Sequence, residues 1–225
     1  VLNYPKDHFD FVIKNSGDEK PSMALTDHGN ANGFGYAFQA QEQLKKKGID
    51  FKFITGVEFY YYPDLELWKK AKADKAAGVE VEEILEEGVI IEIEEESRKK
   101  WYDPIKRRHH LVVVAYNSVG LVNLYRLVSR SYRNGFYRYP RIDNRMLEEC
   151  QEGLIISSAC LSGLPTWLAL RDQTADFNKV FDAELKPLLD IFGKDRSFLE
   201  IQFNKLDEQN IVNDALIAYS KHSGF

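Results

Sequence analysis

Short apolar runs alternate with helical stretches along most of this chain, and that alternation restricts it to an α/β fold with helices packed on a sheet. The runs "SMALT" (22–26), "FKFITGVEFYYY" (51–62), "LVVVA" (111–115), "GLIISSA" (153–159) and "FLEIQF" (198–203) are apolar and mostly rich in β-branched or aromatic residues, and each predicts a strand. "FGYAFQAQEQLKKK" (34–47) predicts a helix with Phe34, Phe38 and Leu44 at helical spacing, lysines near its C-terminal end and Gly48 as its cap. Further helices are expected over 119–133, capped by Ser118 with Gly135 near the end, over 175–192, and from Asp207-Glu208 onward. A largely parallel sheet follows from this order. An open sheet and an incomplete barrel satisfy it equally well.

One stretch breaks the alternation. Residues 64–108 hold 23 charged residues in 45, sorted by sign: lysines at 69–75, nine glutamates without a basic residue from 80 to 96, then a basic cluster from Arg98 to Arg108. This reads as a charged insertion outside the core, with "VEEILEE" as a turn of helix and "VIIEIEE" as an edge strand guarded by charge. A solvated excursion is the plain reading, and a partner-docking surface the alternative. The other 180 residues carry 22 acidic and 20 basic groups, so the net charge of −5 comes mostly from the insertion. That balance gives no overall nucleic-acid signature, but it leaves room for a local basic groove.

With 44% hydrophobic residues the chain can build a core, yet no apolar run approaches the ~18 residues of a membrane span. No basic start followed by an apolar stretch marks a secretory leader. Two cysteines are too few for a disulfide framework, so a reducing, cytoplasmic setting is expected. The abrupt start without Met reads as a piece of a longer protein. There is no repeat of 20–50 residues, no Walker A loop, no GxGxxG fingerprint and no GxSxG elbow.

Candidate chemistry gathers where strands end. Asp27 and His28 follow "MALT" and open into the glycine-rich "GNANGFG". Asp, Asn and Gly are turn formers, but a carboxylate and an imidazole are also metal ligands. Glu58 follows "FITGV", His110 abuts "LVVVA" and Cys160 follows "IISSA". In an α/β fold such positions converge although they lie far apart in sequence. Carboxylate, imidazole and thiolate together favour Zn²⁺, Mn²⁺ or Fe²⁺ over Mg²⁺ or Ca²⁺. Each residue also has a plain reading: Glu58 as a solvated strand residue, Cys160 as a small core residue and His110 as a hydrogen-bonded core histidine. His109 is read as facing solvent, and Cys150 is given no role.

His110 precedes its strand while the other candidates follow theirs. An antiparallel pairing of "GVEFYYY" with "HHLVVVA" resolves this. If Tyr62 faces Arg108, His110 falls opposite Tyr60, on the same face as Glu58. In "GFYRYPRID", Arg138 and Arg141, with Tyr137 and Tyr139, are candidates to meet a phosphate or stack on a single-stranded DNA end, with pairing to carboxylates as the alternative.

The blocks "TDHG", "GVE", "HLVVVA" with its following "G..NL..L", "GFY…PRID" and "GLI…S.CL.G" occur in one order. Together they resemble the PHP (polymerase and histidinol phosphatase) domain that opens the alpha subunit of bacterial DNA polymerase III. The resemblance covers nearly everything except residues 64–108. It implies a distorted (β/α)7 barrel, incomplete at both ends, with up to three Zn or Mn (or Fe) ions at the strand C-terminal face. It carries ligand roles onto Asp27, His28, Glu58, His110 and Cys160, and catalytic roles onto the first four. The family's first HxH motif and last Asp-x-His motif would fall before Val1 and after Phe225, so the isolated chain is expected to bind metal weakly and show little nuclease activity.

The function so implied is a PHP domain within a DNA-directed DNA polymerase, a nucleotidyltransferase of DNA replication that uses Mg at its own site. The domain itself would contribute metal-dependent 3′–5′ phosphodiester hydrolysis or stabilise the polymerase. Implied partners are the DNA primer-template, the remaining polymerase domains and a proofreading exonuclease subunit, with no membrane. Two alternatives stay open: a free-standing PHP phosphoesterase acting on a small phosphate monoester, and a non-catalytic docking scaffold for a separate exonuclease.

Overall fold

The computed structural model describes residues 4–17, 20–78, 105–171 and 176–225. In chain order they form α1 (Pro5–Ser16), β1 (Ser22–His28), α2 (Phe34–Lys46), β2 (Lys52–Tyr61), α3 (Leu65–Ala76), β3 (His109–Ala115), α4 (Ser118–Asn134), β4 (Phe136–Tyr137), β5 (Tyr139–Ile142), α5 (Asn144–Cys150), β6 (Leu154–Ser157), α6 (Leu164–Arg171), α7 (Phe177–Glu184), α8 (Lys186–Phe192), β7 (Ser197–Phe198) and α9 (Asp207–Ser223).

β2 is the spine of the sheet. Along one edge it pairs in parallel with β1, from Ser22↔Lys52 to His28↔Glu58, and further along with β5 at Tyr60↔Arg141. Its other edge pairs antiparallel with β3, which is followed by β6 and β7. The sheet is therefore mixed: β1, β5 and β7 join it in parallel, and β3 is its antiparallel member between β2 and β6. β3 runs against both of its neighbours, an arrangement that does not require the crossover a parallel neighbour needs. Among the described residues no strand pairing closes the sheet into a barrel.

The core forms on one face of β2, where the alternate residues Phe53, Val57, Phe59 and Tyr61 are buried, while Glu58 and Tyr60 lie on the other face. α2 covers one side with Phe34, Ala37, Ala40 and Leu44, and Phe9 of α1 stacks on Phe51 with ring centroids 4.3 Å apart. α4 buries Leu124 and Leu127. Its N-cap is Asn117, whose side chain accepts from the Gly120 N–H at 2.8 Å, one residue before the expected Ser118. The helix expected over 175–192 is two helices, α7 and α8, with Pro187 in the first turn of the second. "FLEIQF" keeps ladder pairing only at Ser197–Phe198; the Glu200 N–H then bonds to the Ser158 Oγ at 2.8 Å.

The charged segment does not lie wholly outside the core. It begins as α3, capped by the Asp64 carboxylate, and Leu65 and Trp68 are buried with the other core residues. The Trp68 Nε1–H donates to the Ile105 carbonyl at 3.1 Å. The expected helical turn and edge strand at 81–87 and 89–95 lie outside the described residues. No helix among the described residues is long and apolar enough to cross a membrane.

Candidate metal centre

The antiparallel register of β2 and β3 sets Tyr60 opposite His110, as the sequence pattern requires. Strand alternation then puts Glu58 and His110 on one face. The parallel register of β1 sets His28 beside Glu58 on the other side. The Glu58 carboxylate lies between the two imidazoles, with Oε1 at 2.6 Å from His110 Nδ1 and Oε2 at 3.8 Å from His28 Nε2. Cys160 closes the group. Its Sγ lies 3.5 Å from His110 Nδ1 and 3.8 Å from Glu58 Oε1.

Local backbone features aim these side chains. β6 ends at Ser157, and the chain turns through Ala159, which adopts a left-handed φ of 62°. An alanine in that region costs about 1–2 kcal/mol, and the turn it makes brings Cys160 over the ends of β2 and β3. The Ser162 N–H then donates to the Cys160 sulfur at 3.4 Å. At the end of β1, Gly29 has φ +67° and donates its N–H to the Glu58 carbonyl at 2.9 Å. A Cβ there would lie 2.9 Å from the Pro140 ring and 3.3 Å from the Tyr60 ring, so glycine lets the His28 turn seat against both.

Asp27 does not join the cluster. Consecutive strand residues point to opposite faces. While His28 faces Glu58, the Asp27 Oδ2 accepts from the Gly33 N–H at 3.1 Å and closes the loop into α2. A Cβ on Gly33 would press to 2.8 Å from that oxygen. Asn30 completes the loop by donating to the His28 carbonyl at 2.9 Å. The "DHG" motif thus divides its two chemistries between two faces, Asp27 to the turn and His28 to the cluster.

The electrostatics of the cluster are coupled. Hydrogen bonding to Cys160 and to Glu58 raises the His110 pKa to about 9. The same His110 contact holds the Cys160 thiol below its ordinary range. Burial pushes the Glu58 carboxyl up, but the His110 hydrogen bond and the charge of His28 outweigh it and leave Glu58 lowered. His110 thus bonds to both a carboxylate and a thiol, and these contacts favour its protonated form.

The other expected residues are placed differently. His109 is buried at 5% exposure rather than facing solvent, because His110 takes the site face and the opposite face of β3 lies against α6 and Trp167. Burial first, and the Arg107 charge second, push its pKa down to about 3. Arg141 is 1% exposed, and its guanidinium donates to the carbonyls of Tyr137, Tyr139, Ile105 and Arg107 at 2.9–3.5 Å. Those donors are spent inside the chain, so Arg141 is a clamp between β5 and the segment entering β3, not a surface contact. Arg138 sits exposed between β4 and β5, at φ 60°.

An α/β domain that brings imidazole, carboxylate and thiol together at the ends of its strands defines a class with a candidate metal centre. Residues 10–204 match the family model described as PHP domain, and the chain belongs to that family. It is 34% identical over 215 residues to the DNA polymerase III subunit alpha of Borreliella burgdorferi, covering 96% of this chain and 15% of that protein. The corresponding protein of Aquifex aeolicus is 34% identical over 202 residues, 89% of this chain and 14% of its own length. That of Thermus aquaticus is 32% identical over 213 residues, 94% and 14% respectively. The chain therefore spans about one seventh of the length of these relatives.

Proposed function

We propose that this chain is the PHP region of a replicative DNA polymerase alpha subunit, folded as part of a (β/α)7 barrel. In this reading its His28–Glu58–His110–Cys160 centre holds Zn or Mn for hydrolysis of the 3′-terminal phosphodiester of a primer. The observation that carries the reading is the convergence of those four donors from four separate segments of the sequence onto one end of the sheet.

The donor set fits a transition metal. His, Glu and Cys are the ligand types that take Zn, with bonds of about 2.0–2.3 Å, which puts ligand atoms about 3.3–3.8 Å from one another in a tetrahedron. The ligand atoms of His28, Glu58 and His110 all lie within 4.8 Å of one another, and Cys160 neighbours two of these residues, 3.5 Å from His110 and 3.8 Å from Glu58, so the three form the shared group with Cys160 at its margin. The 2.6 Å His110–Glu58 contact is a hydrogen bond, and it must open by about 1 Å for both to ligate one ion. The ion would supply Lewis-acid polarisation of a phosphoryl oxygen. The protein's part is to deprotonate His110 and Cys160, which the metal's charge favours, and to present the centre on its His28 side, where that ring is 55% exposed. Glu58 and His110 are largely enclosed, so substrate enters past His28.

The similarity to alpha subunits favours the polymerase setting over a free-standing monoesterase. The test is elemental analysis of the intact subunit that carries this chain, beside its His28→Ala/His110→Ala variant. Two or three equivalents of Zn or Mn, reduced in the variant, with metal-dependent trimming of a 3′-labelled primer, support the reading. Equal metal content in both proteins, or trimming that survives the double substitution, overturns it.

A further inference from the structure

Arg108 lies beside the centre without a partner for its charge. Arg108 immediately precedes β3, two residues before His110. Its guanidinium carbon sits 4.0 Å from the centroid of the Tyr139 ring and 5.5 Å from that of Tyr60. Those two rings meet edge to face, with centroids 4.9 Å apart. Tyr60 in turn packs on both imidazoles of the centre, with ring centroids 5.5 Å from His110 and 6.2 Å from His28. One aromatic ring therefore separates the guanidinium from the candidate metal ligands.

The donors of Arg108 are largely unspent. Nε is buried with no hydrogen-bond partner, and the group's one hydrogen bond runs at 3.4 Å from Nη1 to the Lys106 carbonyl. Among the described residues no carboxylate pairs with it. Burial first, and the Arg108 charge second, lower the pKa of Arg141 to about 10, so a second guanidinium lies within reach of the Arg108 charge. Two guanidinium groups held together with no acid between them make a local positive potential that an anion relieves. Tyr139 is 38% exposed, so the shelf it forms with Tyr60 is open to solvent.

We propose that Arg108, Tyr60 and Tyr139 form the subsite for the nucleotide next to the hydrolysed bond: the guanidinium takes a backbone phosphate and the rings take a base. This identifies single-stranded DNA, rather than a small phosphate monoester, as the ligand of the centre. A planar, always-charged guanidinium suits a phosphate diester, and an aromatic face accepts any base without sequence preference. The inference rests on the hydrolytic reading above, but it is tested by binding alone.

The experiment measures fluorescence anisotropy of a 5′-labelled single-stranded oligo-dT on the 225-residue chain, with and without added Zn²⁺. Arg108→Met keeps the packing stem and removes the guanidinium. It is expected to weaken binding about ten-fold and to lower the salt-dependence slope by about 0.7, the value for one lost phosphate contact. Tyr139→Leu is expected to erase the preference for oligo-dT over an abasic oligonucleotide. Arg133→Met, on α4 and outside the shelf, is the control. Circular dichroism and Zn²⁺ uptake should match the wild type in every variant. Unchanged affinity in Arg108→Met, no binding by the wild type, or Zn²⁺ uptake lost with Arg108 would each overturn the subsite. Trimming is read on the intact subunit: Arg108-dependent binding with no primer trimming by that subunit would leave the subsite standing and remove the hydrolytic reading, and trimming by it that is insensitive to Arg108→Met would do the reverse.

Discussion

His110 Nδ1 lies 2.6 Å from Glu58 Oε1 across an antiparallel strand pair, and this contact joins two parts of the chain separated by the charged segment. The placing of His110 against Glu58 depends on that pairing. A slip of one residue would turn His110 into the core and bring His109 to the site.

The two residues should therefore behave as one unit toward metal. Glu58→Gln and His110→Asn keep size and polarity but lose charge or ligand strength. Each is expected to weaken Zn²⁺ affinity by at least about 10- to 100-fold, the scale on which even outer partners of a metal site act. The double variant should be little worse than either single one, because an ion that has lost one of two adjacent ligands gains little from the other. Competition with a chromophoric chelator reads this directly. Full additivity of the two losses would mean that Glu58 and His110 do not share an ion.

Asp27 and His28 should separate cleanly, although they are neighbours. Asp27→Ala removes the acceptor for the Gly33 N–H and is expected to cost about 1 kcal/mol of stability by denaturant titration, with Zn²⁺ affinity retained. His28→Ala should do the opposite. The ring is half-exposed, so its loss costs little stability, but affinity for the ion falls. If Asp27→Ala releases the metal at unchanged stability, the loop role given to Asp27 is wrong.

That division shows what the sequence could and could not carry. Strand ends rich in ligand types were legible, as was the β2–β3 register, since both follow from the period of two. Which of two adjacent residues faces the centre was not, because alternation fixes that they differ and not which is which. The same ambiguity hid His109, whose burial depends on α6 covering the far face. α6 is buried along nearly its whole length and so has no amphipathic stripe to reveal it. Arg141 was misjudged for a related reason. A basic residue amid tyrosines suggests an anion site until the structure shows backbone carbonyls on four of its donor contacts. Arg108 went unnoticed inside a run of basic residues, where composition gives each the same weight.

Arg141→Met tests the clamp. The substitution keeps the stem beside Trp68, whose ring lies 4.9 Å from the guanidinium, but leaves carbonyls of β5 and of the segment entering β3 without donors. Buried acceptors left unpaired cost about 1–3 kcal/mol each, so a loss of about 3 kcal/mol or more in unfolding free energy is expected. Hydrogen exchange should rise at Tyr139–Ile142 and at the start of β3. A change within about 0.5 kcal/mol would show that water serves those carbonyls equally well.

The two adjacent histidines should give the metal-free protein a stability maximum near pH 6.5, with a different residue responsible on each side. His109 has its pKa pushed down to about 3 in the fold, against about 6.5 unfolded. Between these values the unfolded chain binds the extra proton, so stability is full above pH 6.5 and falls as the pH drops toward 3, by at most about 1.4 kcal/mol per pH unit. His110 is shifted the other way, up to about 9. Its contribution is full below pH 6.5 and is lost as the pH rises through 9, where the folded state releases a proton that the unfolded state has already given up. Urea titrations of chelator-treated protein from pH 5 to 9 measure both limbs. His109→Gln should flatten only the acid limb and His110→Asn only the alkaline one. With Zn²⁺ bound the alkaline limb should vanish, since the metal replaces the proton on His110. Acid limbs that stay parallel in wild type and His109→Gln would show that the buried ring opens to water before it is protonated.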